Sequence, residues 1–225
     1  MKVIFLSYRD WSNRVVSAIK NEEIISESLC FSRPEEFNSF IASTKDEWVI
    51  IAIGWSHILK SEITSNFFCI GAHPSDLPLY RGGSPIQHQI IDGVIDSKLS
   101  IFQLTERIDE GNILIKVDLS LKGDSISAIF DNLFLSTTKA LKIFLKTYPN
   151  IQPLVQEKTN IKTLKRRNFE DSKITKDEFS EMSLLEIYNK IRCLTDPYPN
   201  AFLEDEHGNR LFFEGISYER NEKNQ

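Results

Sequence analysis

Unbroken apolar runs separated by amphipathic stretches organise the first hundred residues of the chain. "KVIFLSY", "EWVIIAIGW" and "FFCIGA" are rich in β-branched and aromatic residues, the pattern of strands buried on both faces of a parallel sheet. Between them, "SNRVVSAIKN" predicts a short helix capped by Ser12, and "PEEFNSFIAST" a second whose acidic first turn suits the helix dipole. "SHILKSEITSN" predicts a third. "SPIQHQIIDG" predicts a fourth, with Ser84 as N-cap, Pro85 at the first helical position and Gly93 beyond the end. Strands alternating with helices in this way predict an α/β, doubly wound, mostly parallel sheet.

The pattern then changes. "LSIFQLTERIDEGNILIKVDLSL" holds two β-rich runs around the turn "DEGN", and "SISAIFDNLFLSTTKALKIFLKTY" spaces its apolar residues for a long helix packed on the sheet. From Pro149 to about Asp177 the chain is polar and irregular, as expected of a strap over the surface. "SLLEIYNKIRCL" predicts a last amphipathic helix, "TDPYPNAF" a proline-stiffened loop and "RLFFEGISY" a late strand. The predicted organisation is a catalytic α/β domain over residues 1–148 and a strap with a short α+β extension over 149–225.

Composition narrows the class. With 225 residues and 41% hydrophobic content the chain can bury a proper core. No run is long enough to span a membrane, and "MKVIFLSYRDW" turns polar too early for a signal peptide, so a cytoplasmic protein without a membrane partner is expected. Cys30, Cys69 and Cys193 are far apart and sit in apolar surroundings, predicting reduced core thiols and no metal. A net charge of −5, with "KTLKRR" the one dense basic cluster, argues against a nucleic-acid partner.

Ligands of open α/β sheets bind beyond the carboxyl ends of the strands, which directs attention to the loops after "IIAI" and "FFCI". Neither is a phosphate-cradling glycine motif. The second, "HPSDLPLYRGGSP", combines residues that fix φ with residues that free it: Pro74 and Pro78 restrain His73 and Leu77, while Gly82 and Gly83 permit a sharp turn into the next helix. A loop of that composition pre-positions its histidine. Asp109, in "RIDEGNI", reads on its own as a turn residue.

Together, "CIGAHPSDLPLYRGGSPIQHQIIDG" and "SIFQLTERIDEGNIL" resemble the catalytic segment of the folate-dependent formyltransferases, the superfamily that includes methionyl-tRNA formyltransferase and the nucleotide-linked amino-sugar N-formyltransferases. The resemblance is close over residues 48–118 and implies the formyltransferase-type fold with 10-formyltetrahydrofolate as cosubstrate. It implies a catalytic set of His73, Asp109 and the position two before the histidine, where the family has asparagine and this chain has Gly71. It also implies folate contacts from His57, Ile58 and Leu59, from Ser75, Asp76, Leu77 and Pro78, and from Thr105 to Ile108. Formyl transfer needs donors for the oxyanion and an acid/base pair for two protons, which is why one missing amide matters.

"IYNKIRCLTDPYPNAF" resembles the segment that follows the core in sugar N-formyltransferases, implying a nucleotide-activated deoxy-amino sugar as acceptor, for a surface glycan such as the lipopolysaccharide O-antigen. Such a ligand wants a stacking aromatic and cations for its diphosphate; Arg9, Trp11, Tyr80, Arg81 and Tyr198 are the candidates. Trp55 and His88 read as packing or orienting groups. The rivals are a 10-formyltetrahydrofolate hydrolase and a non-catalytic folate or sugar-nucleotide binder, the latter motivated by Gly71. The apolar residues of "RLFFEGISY" offer an edge for a homodimer.

Overall fold

A computed structural model describes residues 1–157, 163–219 and 221; Lys162 of the basic cluster lies outside them. A central six-stranded sheet has the order β2-β1-β3-β4-β5-β6, built from β1 (Lys2–Leu6), β2 (Glu27–Phe31), β3 (Val49–Ile53), β4 (Phe68–His73), β5 (Asp96–Gln103) and β6 (Ile113–Ser120). The first four strands pair in parallel, and β5 and β6 join antiparallel. The expected doubly wound, mostly parallel sheet is therefore present.

Side chains alternate across a strand, and here both faces are covered. Val3, Phe5, Ile51 and Ile53 point into one core with α1 (Asp10–Ile19) and the 22-residue α5 (Ile126–Thr147). Ile4, Leu6, Ile50 and Ala52 point into the other, against Phe37 and Ile41 of α2 (Pro34–Ser43) and Ile63 of α3 (Ser61–Asn66). Each fully buried Ile, Leu or Phe contributes about 1.5–3 kcal/mol, so these strands anchor everything mounted on their ends.

Several local expectations are corrected. Helix α1 starts earlier than expected: Arg9 is the N-cap, and Ser12, in the first turn, accepts from the Arg9 N–H through its hydroxyl. Helix α3 is only six residues long, which leaves His57 to Leu59 in a loop. Strand β2 was not expected, because an edge strand with one neighbour needs no continuous apolar run. Cys30 lies on it and is exposed, unlike the buried Cys69 and Cys193.

Helix α4 (Pro85–Ile91) begins where predicted, but Ser84 is left-handed (φ 54°) and its hydroxyl accepts from Arg167 N–H instead of capping the helix. Beyond α5 come a 3-10 turn (Glu170–Ser172), α6 (Lys176–Glu181), α7 (Leu184–Arg192) and a hairpin of β7 (Phe202–Glu204) with β8 (Arg210–Phe212). The late strand is thus three residues long, and its partner lies at the end of the expected proline loop.

Candidate functional site

His73 is the last residue of β4, a strand paired on both sides in the middle of the sheet. Its ring is 6% exposed, edge-on to Phe102, with Nε2 2.8 Å from the Tyr80 carbonyl and Nδ1 3.4 Å from Asp109 Oδ2. A carbonyl can only accept, so Nε2 carries a proton and donates it; Nδ1 is the nitrogen turned towards the aspartate. Asp109 reaches this point from the β5–β6 turn, and the same Oδ2 accepts from the Gly82 N–H at 2.8 Å.

The backbone around this contact is forced. Tyr80, Ser84 and Asp109 are the non-glycine residues with positive φ among the described residues (55°, 54° and 54°), and all three lie at this loop and turn. Such conformations cost about 1–3 kcal/mol each and persist only where the surroundings over-determine them.

The surroundings are the strap. Leu164 N–H donates to the Arg81 carbonyl and Gly83 N–H donates to Leu164 O, making a short parallel bridge between strap and loop. The approach is so close that a Cβ on Gly82 would lie 2.3 Å from Leu164 O, and one on Gly83 2.4 Å from Arg166 Cα. The adjacent glycines are there because another piece of backbone lies against them.

Beyond the ends of β3 and β4 this arrangement encloses a cavity of about 690 Å³. His73, Asp109 and Gly71 all line it, as do His57, Ile58, Leu59, Thr105 and Ile108. Ile58 is 73% exposed, an apolar side chain presented at the opening. Of the acceptor candidates, Arg9, Trp11 and Tyr198 line the cavity.

The remaining candidates do not reach it. Ser75 and Leu77 are fully buried beneath the loop, and Asp76 turns outward to pair with Lys116. Pro78 is likewise not part of the lining. Tyr80 gives its hydroxyl to Asp92 at 3.0 Å; burial, and then that bond, push its phenol up to about 12. Arg81, one of the candidate cations for a diphosphate, is 5% exposed and donates through Nε and Nη2 to Gln156 Oε1. It braces the loop from beneath.

Gly71 is paired on both sides, with Ala52 and Phe102, so its N–H serves the sheet. A Cβ at Gly71 would come within 2.9 Å of Leu104 Cδ2 and 3.1 Å of Phe102 Cε1, space that an asparagine would need.

Other functional groups were missed. Trp55 Nε1, Gln87 Oε1 and Arg167 Nε are buried without a protein partner, and all three residues line the cavity. Trp55 stacks edge-on with Tyr8 and His57, an aromatic cluster drawn from two loops. Arg166 and Arg167 also line the cavity; the basic cluster holding them reads in sequence as a solvated segment or linker, one or two of whose arginines could reach a single phosphate. A second, larger groove of about 1130 Å³, lined by Lys122, Tyr188 and Arg192, shares no residue with this one.

Comparison with known proteins shows the family and the fold. The profile of the formyl transferase family matches residues 9–133. The methionyl-tRNA formyltransferase of Caldicellulosiruptor saccharolyticus is 31% identical over 163 residues, covering 71% of this chain and 51% of that protein. The chain spans roughly half the length of the curated relatives it matches. Among solved structures, a methionyl-tRNA formyltransferase from Clostridium thermocellum superposes with a TM-score of 0.78 at 26% identity, covering 97% of this chain and 100% of that one. A sugar N-formyltransferase from a Shewanella species gives 0.72 at 19%, covering 99% of each chain. HypX from Aquifex aeolicus, in complex with tetrahydrofolic acid, gives 0.70 at 17%, covering 91% of this chain and 36% of that one. The last two likenesses are of fold.

Proposed function

The chain belongs to the formyl transferase family, and from that premise we propose that it moves the formyl group of 10-formyltetrahydrofolate onto the amine of a nucleotide-activated deoxy-amino sugar. The observation that carries the reading is the His73–Asp109 pair inside a cavity lined both by apolar and by cationic and aromatic side chains. Among the lining residues, His57 to Leu59 and Thr105 to Ile108 include the exposed apolar side chains of Ile58 and Ile108, suited to a pterin. The lining also holds Arg9, Arg166 and Arg167 together with Trp11 and Tyr198, residue types suited to a diphosphate and a base.

In this reading the acceptor amine attacks the formyl carbon and the carbonyl electrons move onto oxygen. The new ammonium gives a proton to the Asp109–His73 Nδ1 pair, and that proton passes to the folate nitrogen as its bond to the formyl carbon breaks. Proton count and charge balance over the cycle. The 3.4 Å between Nδ1 and Oδ2 is longer than a formed hydrogen bond and leaves the pair free to tighten around substrate. Tetrahydrofolic acid in the HypX complex supports folate as the cosubstrate class.

The methionyl-tRNA formyltransferases among the relatives favour a second acceptor, the amine of an aminoacyl-tRNA. The deciding assay supplies 10-formyltetrahydrofolate with dTDP-, UDP- and GDP-linked amino sugars and with methionyl-tRNA, reading tetrahydrofolate release and product mass. One formyl group gained on an amino sugar is the expected outcome. Gain on methionyl-tRNA alone overturns the sugar reading, and folate turnover without an acylated product identifies a hydrolase.

A further inference from the structure

Gln156 lies on the strap outside the family match, 8% exposed, and its carboxamide uses its hydrogen-bonding capacity on two other segments. Oε1 accepts from Arg81 Nε (3.2 Å) and Nη2 (2.6 Å); Nε2 donates to the carbonyls of Asp109 (2.9 Å) and Gly111 (2.6 Å). We propose that Gln156 is a positioning residue that holds the Asp109 carboxylate against His73 by bracing the Asp109 turn against the histidine loop. This rests on the formyl-transfer reading above.

The geometry supports it in three ways. Asp109 is left-handed, a backbone state that needs external support, and Gln156 grips the carbonyls at 109 and 111. The Nδ1–Oδ2 contact joins the ends of two loops, and these loops are the segments that Gln156 ties through Arg81 and the turn. Finally, the amide is chemically specific. A carboxylate at this position would still accept from Arg81, yet it has no proton for either carbonyl and would repel both.

Gln156→Glu therefore separates bracing from folding. The Arg81 contact is retained as an ion pair, so the chain still folds, while the two carbonyls left without their donor lower the melting temperature modestly. With the turn released, kcat falls about 10- to 100-fold, as expected for a misplaced catalytic group, while KM for the folate changes less than about threefold. Because Gln156 acts through Asp109, Gln156→Glu added to Asp109→Asn gives little further loss. A substrate-independent readout is the ¹⁵N shift of His73 Nδ1: Gln156→Glu moves it towards its value in Asp109→Asn, while Nε2, bonded to the Tyr80 carbonyl, keeps its own. An unchanged Nδ1 shift, or losses that add in the double variant, overturns the proposal. If Gln156→Glu fails to fold, Gln156→Asn, which keeps the donor on a shorter arm, takes its place with the same expectations. Absence of formyl transfer by the wild type overturns the function proposed above and leaves the ring-nitrogen measurement to decide Gln156.

Discussion

His73 and Gly71 sit two residues apart on β4, facing one cavity, and they carry opposite expectations. For His73→Asn, with Nε2 donation to Tyr80 O and the Nδ1–Asp109 contact both disturbed, formyl transfer is expected to fall by about 10²–10⁴-fold. The melting temperature should move little, since the ring is at the edge of the core; a collapse in Tm with proportionate activity loss would assign the histidine to structure. For Gly71→Asn the crowding by Leu104 and Phe102 comes first. The single variant is expected to lose about 1–3 kcal/mol by overpacking. Pairing it with Leu104→Ala should recover that loss and raise kcat by supplying the side-chain donor, measured by denaturant unfolding and single-turnover rates. A double variant no faster than wild type would mean that oxyanion stabilisation here does not use that position.

At the scale of elements, the strap is held by the two glycines of the loop it crosses. Gly83→Ala puts a methyl group into Arg166 backbone, so strap and loop must part. Tryptic cleavage at Lys165, Arg166 and Arg167 should accelerate, by about tenfold for each 1.4 kcal/mol lost from the docked state, with transfer activity falling in parallel. Unchanged cleavage would mean that the loop absorbs the methyl group. The strands were legible because β1, β3 and β4 are buried on both faces and must be apolar throughout. Strand β2 was not, since its solvent side tolerates "ESLCF". His73 was legible from its place in a proline-stiffened loop at a strand end, whereas Asp109, on its own a turn residue, was legible only through the resemblance. Gln156 was hidden because its contacts depend on where a segment with no periodicity crosses the loop, and Trp55 because a single aromatic after a strand reads as packing.

Across the whole molecule, among the described residues, most of the carboxyls held below their ordinary value lie in the C-terminal part, with Asp118 of β6 held down likewise by Lys98. Hydrogen bonds from Lys190 hold the Glu178 carboxyl below its ordinary value; Ser183 does the same for Glu186, Lys173 for Glu204 and Asn209 for Asp205. Folded values below the unfolded ones give stability that is present above about pH 4.5 and lost as pH falls through the lowered values. Hydrogen exchange at pH 3 against pH 7 is therefore expected to show α6, α7 and the β7–β8 hairpin opening first, with β1, β3 and β4 still protected. Uniform loss of protection would assign acid sensitivity to the sheet instead.

The bridge between Gly82 and Leu164 also orders events in time. A nascent chain that has emerged as far as α5 carries every strand of the main sheet, the histidine and the aspartate, yet the backbone that fixes their loop is still inside the ribosome. On the function proposed above, formyl transfer is therefore expected only after the strap has been translated, and a message interrupted after α5 is expected to yield a chain whose site is incomplete.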